Sequence, residues 1–225
     1  MSVSLRVSVF LLVSSYAFGA IMLGHQLLDG FVYLTAPHLC LTTYLLLRHH
    51  ANGRGDLGSR RRLLLWAVVC GILGWLAEYV GVHYGVLFGD YVYGEVLGPA
   101  WRGIPLVMAV NWVLVVYAVC ASVEWVLGRR WAASVTGAQL AAKTGVAACL
   151  LVALDALIEP VAIVLDFWRW DAGAPPLHNF VGWLCVGALQ AGIFYVCVPQ
   201  PRNPLAPLVL VLQLVFFSYL NLVLV

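Results

Sequence analysis

The 225-residue chain is 63% hydrophobic and 10% charged, with Lys+Arg 12, Asp+Glu 10 and a formal net charge of +2. A soluble domain averages about 45–50% apolar and about 25% charged residues. The composition therefore excludes a soluble globular domain, a disordered chain and a nucleic-acid binder, and it fits a polytopic membrane protein.

Apolar runs fall at 7–27, 31–47, 63–83, 104–127, 140–165, 179–198 and 204–225. They are continuous and do not alternate with period two, which predicts helices and not a barrel. The expected fold class is all-α, a single integral membrane domain over 1–225 with about seven transmembrane helices. The run at 31–47 is short enough to be tilted or broken. Arg6 precedes an apolar stretch with small residues at Ala17–Ala20, as a secretory signal would. The run nevertheless continues through Ile21–Leu28, so a retained first span is expected.

Basic residues predict the orientation. Arg6, Arg48, Arg54, Arg60, Arg61, Arg62, Arg129, Arg130, Lys143 and Arg202 fall on one side, and Arg102 and Arg169 on the other. The N-terminus is thus expected in the cytoplasm and the C-terminus outside, across a bacterial or archaeal cytoplasmic membrane. Asp56 and Glu124 join the cytoplasmic side, where Glu124 is expected to pair with Arg129 or Arg130. The remaining acids (Asp29, Glu78, Asp90, Glu95, Asp155, Glu159, Asp166 and Asp171) lie within spans or at the opposite end. Acidic residues contribute little to topology, so their gathering calls for another reason.

Two connections at that end are unusual. Residues 84–103 carry Gly85, Gly89, Gly94, Gly98 and Gly103 among Tyr84, Phe88, Tyr91, Tyr93 and Trp101. Residues 166–178 begin with Phe167, Trp168 and Trp170 interleaved with Asp166, Arg169 and Asp171. Such aromatics suit either an interfacial belt or a folded, re-entrant loop over a half-apolar, half-wet site. The glycines favour the folded loop, because anchoring alone needs no tight turns.

Asp155 and Glu159 are four residues apart and share a helix face in the fifth run. A carboxylate near the bilayer centre costs about 2.5–3.5 kcal/mol on insertion scales, so such residues are functional candidates. Two together do not both ionise cheaply, which supplies a general acid and a general base in one place. Pro160 removes the hydrogen bond to the carbonyl of Ala156 beside them. Glu78, at the end of the third run near the glycine-rich loop, completes the catalytic candidates Asp155, Glu159 and Glu78. Asn111, Trp112 and Asn179 are polar or amphipathic groups expected to face the bundle, although Asn179 also suits a helix cap. Asp90 and Arg102 are supporting candidates, equally suited to a solvated turn and an ion pair. His25 and Asp29 read as the start of a turn before Gly30.

The six histidines form no HxxxH or HxxHH box, which argues against a di-iron membrane oxygenase. The six cysteines form no CxxC pair and read as small buried apolar residues. Lys143 is the only lysine, so the seventh run offers no Schiff-base nitrogen for retinal. No nucleotide loop, Mg–diphosphate motif or transporter-like repeat stands out. No metal and no cofactor are expected, and the chemistry favoured is acid–base work on an uncharged lipid-soluble molecule.

The stretch Glu78-x-x-Gly81-x-x-x-Gly85-x-x-Phe88-Gly89-x-Tyr91-x-Tyr93, followed by Leu97-Gly98-Pro99 and Gly103-Ile104-Pro105, resembles the membrane carotenoid 1,2-hydratases. A second block agrees: Asp155, Glu159-Pro160, Trp168-Arg169-Trp170 and Asn179-Phe180-Val181-Gly182-Trp183. The segment 172–178 departs from the family's pattern, being shorter than its usual Tyr/Gly-rich stretch. The resemblance implies carotenoid biosynthesis by a cofactor-independent hydro-lyase that adds water to the terminal C1=C2 bond of an acyclic end group. Asp155 and Glu159 would then share the acid and base roles, and Glu78 would position water or tune them. Tyr91, Tyr93, Asn111, Trp112, Trp168, Trp170, Asn179 and Trp183 would bind the substrate end group and stabilise a tertiary cation. The implied partners are the carotenoid, water, membrane lipid and other enzymes of the same pathway. Two alternatives stand beside this reading: an end-group cyclase that quenches the same cation by proton loss, and a transporter or lipid-binding membrane protein.

Overall fold

The computed structural model describes residues 2–50, 57–127, 136–198 and 201–225. Arg54, Asp56, Arg129 and Arg130, used above for topology, lie outside the described residues. Among the described residues the chain is all-α with seven helices: α1 (Val3–Gly24), α2 (Thr35–Arg48), α3 (Leu57–Tyr84), α4 (Val107–Leu127), α5 (Gly137–Val164), α6 (Leu177–Cys197) and α7 (Leu205–Leu224). All except α2 are long and apolar enough to cross a membrane. Their outward faces, with Phe10, Leu65, Leu189 and Val215, expose apolar side chains that require a hydrocarbon solvent.

The run at 31–47 is the one that differs from a plain span. Gly30 takes φ +77, Phe31–Leu34 forms a 3-10 turn, and only then does the 14-residue α2 begin. Pro37 explains the late start, because a residue without N–H fits a helix only in its first turn. At about 1.5 Å per residue, α2 is about 21 Å long, short of an average hydrocarbon core. It runs antiparallel to α1: Ser15 meets His38 at 3.1 Å near its start, and Ser8 meets His49 at 2.8 Å beyond its end.

The helix starts and ends are set by local chemistry. Ser2 caps α1 through Leu5 N–H, and Thr136 with Gln139 forms a reciprocal capping box on α5. α4 is apolar all round, as expected of a helix enclosed by others. Trp112, Leu114, Val116 and Tyr117 on it are completely buried.

The arginine-bearing end of the bundle is joined by polar contacts. Asn203 donates to the Leu46 carbonyl at 2.7 Å and to the Tyr117 hydroxyl at 3.1 Å, and His50 Nδ1 meets that hydroxyl at 2.7 Å. Burial pushes the His50 imidazole down to about 4. Glu124 pairs with Lys143 at 2.7 Å, because α5 packs back on α4 and brings the lysine to it; the expected partners Arg129 and Arg130 lie outside the described residues. Among the cysteines only Cys70 and Cys120 are buried, while Cys40, Cys149 and Cys185 face outward, where their low polarity suits lipid. His25, at the opposite end, accepts or donates a 3.1 Å bond with the Tyr219 hydroxyl of α7.

Candidate active site

The two unusual connections meet each other. Tyr91–Tyr93 (β1) pairs antiparallel with Trp168–Trp170 (β4), in the register Tyr91↔Trp170, Val92↔Arg169, Tyr93↔Trp168. Gly94 N–H donates to the Phe167 carbonyl, and Asp171 N–H to the Asp90 carbonyl, which extends the ribbon at both ends. Side chains alternate along a strand, so Tyr91, Tyr93, Trp168 and Trp170 share one face and Val92 with Arg169 the other. The first set turns inward over the helix ends, and Val92 and Arg169 are exposed. A second small hairpin, Ala100–Trp101 (β2) with Ile104–Pro105 (β3), completes the first connection.

Glycines let this cap sit close. A Cβ at Gly182 would lie 2.0 Å from the Leu87 carbonyl oxygen, so α6 touches the loop backbone directly. A Cβ at Gly74 would lie 2.2 Å from Trp112 Cγ, so α3 and α4 meet with the indole between them.

Beneath the ribbon, three carboxylates from two helices line one cavity: Glu78 of α3, and Asp155 and Glu159 of α5. All three residues are buried. Glu78 Oε2 accepts from the Tyr91 hydroxyl at 2.5 Å and from the Tyr93 hydroxyl at 2.8 Å, and its Oε1 accepts from Trp112 Nε1 at 2.8 Å. Glu159 Oε2 accepts from Trp168 Nε1 at 3.0 Å and Trp170 Nε1 at 2.8 Å. Asn179 Nδ2 donates to Asp155 Oδ2 at 2.8 Å and, more weakly, to Glu159 Oε1 at 3.3 Å. Asn179 is thus no cap: α6 begins two residues earlier, after Pro176, and the amide bridges the carboxylate pair.

The donors are unequally shared. Glu78 and Glu159 each receive several N–H or O–H groups, which satisfy an ionised carboxylate, whereas Asp155 receives, among the described residues, only the Asn179 amide. Burial, followed by the Glu78 charge, pushes the Tyr91 and Tyr93 hydroxyls well above the usual phenol range. Both therefore remain donors at neutral pH.

The cavity among these groups has a volume of about 30 Å³, room for one or two waters at roughly 10–15 Å³ each. Besides the three acids it is lined by Tyr91, Tyr93, Asn111, Trp168, Trp170, Asn179 and Trp183. Trp112 stands behind it, stacked on Trp183 with ring centroids 4.4 Å apart. Asp90 and Arg102 do not line it. The Asp90 carboxylate packs against Gly85, and Arg102 sits exposed at φ +53 in the turn between β2 and β3. Phe88, Met108 and Ile158 also line the cavity. They are apolar residues in apolar surroundings, and only Phe88 lies within a recognisable motif. Among the described residues, no group of three or more His, Cys, Asp or Glu is arranged to hold a metal ion.

Residues 30–225 match the carotenoid biosynthesis protein family. The chain belongs to this family. It is 31% identical over 138 residues to bisanhydrobacterioruberin hydratase of Haloarcula japonica, an alignment covering 60% of this chain and 45% of that protein. The chain thus matches about half the length of this relative. No solved structure matches it. The match places the buried carboxylates and their aromatic cap in a membrane protein of the carotenoid biosynthesis family.

Proposed function

We propose that the chain hydrates the terminal C1=C2 bond of an acyclic carotenoid end group, with Asp155 as acid and Glu159 as base. The observation that carries this reading is the Asp155–Asn179–Glu159 cluster beside a water-sized cavity. A cyclase needs no water beside its proton donor, so a polar space of that size supports hydration over cyclisation.

Asp155, with the single amide donor, is the carboxyl least satisfied as an anion and carries the proton. It protonates C2, forming a C–H bond with the π electrons and leaving a tertiary cation at C1. The faces of Trp168, Trp170 and Tyr93 stabilise that charge. Water held in the cavity attacks C1 and gives a proton to Glu159, completing the C–O bond of a tertiary alcohol. Return of that proton from Glu159 to Asp155, one helical turn away, resets the pair. Glu78 is a fixed anion held by its three donors, and it opposes the positive charge without exchanging protons. An end group exceeds the cavity's present volume, so it enters from the half-buried side formed by Tyr93, Ile158 and Trp168.

The same reading sets the protein in a bacterial or archaeal cytoplasmic membrane, the arginine-bearing end inside and the ribbon with the C-terminus outside.

The decisive test is expression in a host that makes lycopene or γ-carotene, followed by chromatography and mass analysis of the pigments. A gain of about 18 Da, one water, is expected from the addition. Asp155→Asn and Glu159→Gln each lower product by about 100-fold or more, the range of general acid–base catalysis, with the protein still in the membrane. An isomer of unchanged mass indicates the cyclase instead, and unchanged pigment with membrane-inserted protein overturns both.

A further inference from the structure

A second cavity lies on the other side of Phe167, between α1, α2 and α7. Its volume is about 350 Å³, within the range of small-molecule sites, roughly 300–1,000 Å³. Phe18, Phe31, Phe216 and Phe217 give it an apolar wall, and Leu165 with Phe167 closes it towards the carboxylates. Phe167 and Trp168 are adjacent rings with centroids 6.3 Å apart, so one residue pair separates the two cavities.

The apolar wall alone would suit any lipid tail. Its inner end carries the more specific information. Gln213 lines the cavity, is 3% exposed, and its Oε1 has no hydrogen-bond partner among the described residues. A buried polar atom without a partner is costly, so a ligand that fits here supplies a donor. A phospholipid acyl chain has none, and neither has a hydrocarbon carotenoid. An isoprenoid alcohol has one, at the end of a chain that matches the phenylalanine wall.

We propose that the cavity between α1, α2 and α7 binds an isoprenoid alcohol, its hydroxyl donating to Gln213 Oε1 and its chain lying along the phenylalanines. The inference rests on the hydration reading for its biological sense, since hydration produces such an alcohol one residue pair away. The cavity is then the place where a hydroxylated end group is held after it leaves the carboxylates.

Binding is tested on the full chain purified in detergent, by native mass spectrometry with geranylgeraniol and with its methyl ether, which lacks the donor. Wild-type protein is expected to prefer the alcohol about tenfold, the value of one ordinary hydrogen bond. Gln213→Leu removes that preference while still binding both compounds. Gly19→Leu, whose side chain would project towards Phe216 at the cavity wall, lowers occupancy by both. Asp155→Asn leaves the preference unchanged, which separates this site from the proposed chemistry: the alcohol binds here whether or not hydration is observed. Equal binding of alcohol and ether by wild type, or displacement of both by phosphatidylcholine alone, overturns the proposal. So does a preference that is lost in Asp155→Asn and kept in Gln213→Leu.

Discussion

Tyr91 and Trp170 face each other across the ribbon with ring centroids 4.9 Å apart, yet they donate to different carboxylates, Glu78 and Glu159. The ribbon therefore ties the acid on α3 to an acid on α5 and sets their separation. Trp170→Phe keeps the facing ring and removes one N–H donor. A hydrogen bond to a charged group is worth about 1.5–3 kcal/mol, so turnover is expected to fall roughly tenfold to hundredfold. Pigment analysis at matched protein levels checks this, and a fall confined to protein abundance would assign Trp170 to folding alone.

The opposite face of the ribbon gives the matching control. Arg169 pairs with Asp166 at 2.6 Å, but its side chain is 67% exposed. Such surface pairs contribute little to stability, because solvent screens them. Arg169→Ala is expected to change turnover less than about twofold, although its neighbours in sequence, Trp168 and Trp170, both touch Glu159. A large loss would mean that the alternation of the strand does not separate cavity from solvent.

This alternation was not legible in the sequence, although the residues were. Asp155 and Glu159 announced themselves as charges in an apolar run, and Tyr91, Tyr93, Trp168 and Trp170 as aromatics crowded into two connections. Their pairing joins segments more than 70 residues apart, and no local propensity encodes a contact of that separation. Three-residue strands also give too few positions for a period-two pattern to stand out. Asn179 reads in the sequence as a polar group facing the bundle, and also as a helix cap. Its reach to Asp155 follows from the packing of α6 on α5, which the sequence does not state. The shortness of the run at 31–47 leaves a tilted or broken helix open, and the late start of α2 itself follows from Gly30 and Pro37. Gln213 does not stand out in the sequence, because a single amide in an apolar run has no partner that can be read from its neighbours.

Gly182 tests the close approach of α6 to the cap. A Cβ there would stand 2.0 Å from the Leu87 carbonyl oxygen, which is backbone and gives way only if the loop moves. Overpacking of this kind costs about 1–3 kcal/mol. Gly182→Ala is expected to lower the thermal midpoint in detergent and to reduce turnover through displacement of Phe88 and Tyr91. Gly192→Ala on the same helix, with open space at its Cβ, leaves both unchanged.

The buried phenols predict a pH dependence. Tyr91 and Tyr93 are raised by burial above their ordinary value of 10.0, so the folded protein holds these protons more tightly than the unfolded chain. Their contribution to stability is complete below pH 10 and is lost as pH rises above it, because the unfolded chain ionises first. Thermal midpoints in detergent are expected to fall above about pH 10, and less steeply in the Tyr91→Phe, Tyr93→Phe double variant. Equal slopes in the two proteins would place the alkaline loss elsewhere.

The pair Lys143–Glu124 makes the last prediction, at the end of the bundle away from the cavity. The two charges are 2.7 Å apart, with side chains 4% and 13% exposed. Removing one partner of a buried pair leaves an uncompensated charge and costs about 3–5 kcal/mol, whereas replacing both with apolar groups of similar size is often neutral. Lys143→Met, which removes this cation from the Glu124 carboxylate, is expected to lower the thermal midpoint, and adding Glu124→Leu to recover most of the loss. Turnover per folded molecule remains at the wild-type level in the double variant, because neither residue lines the carboxylate cavity. Strictly additive destabilisation would mean that each residue acts through other contacts and that the ion pair does not join α4 to α5.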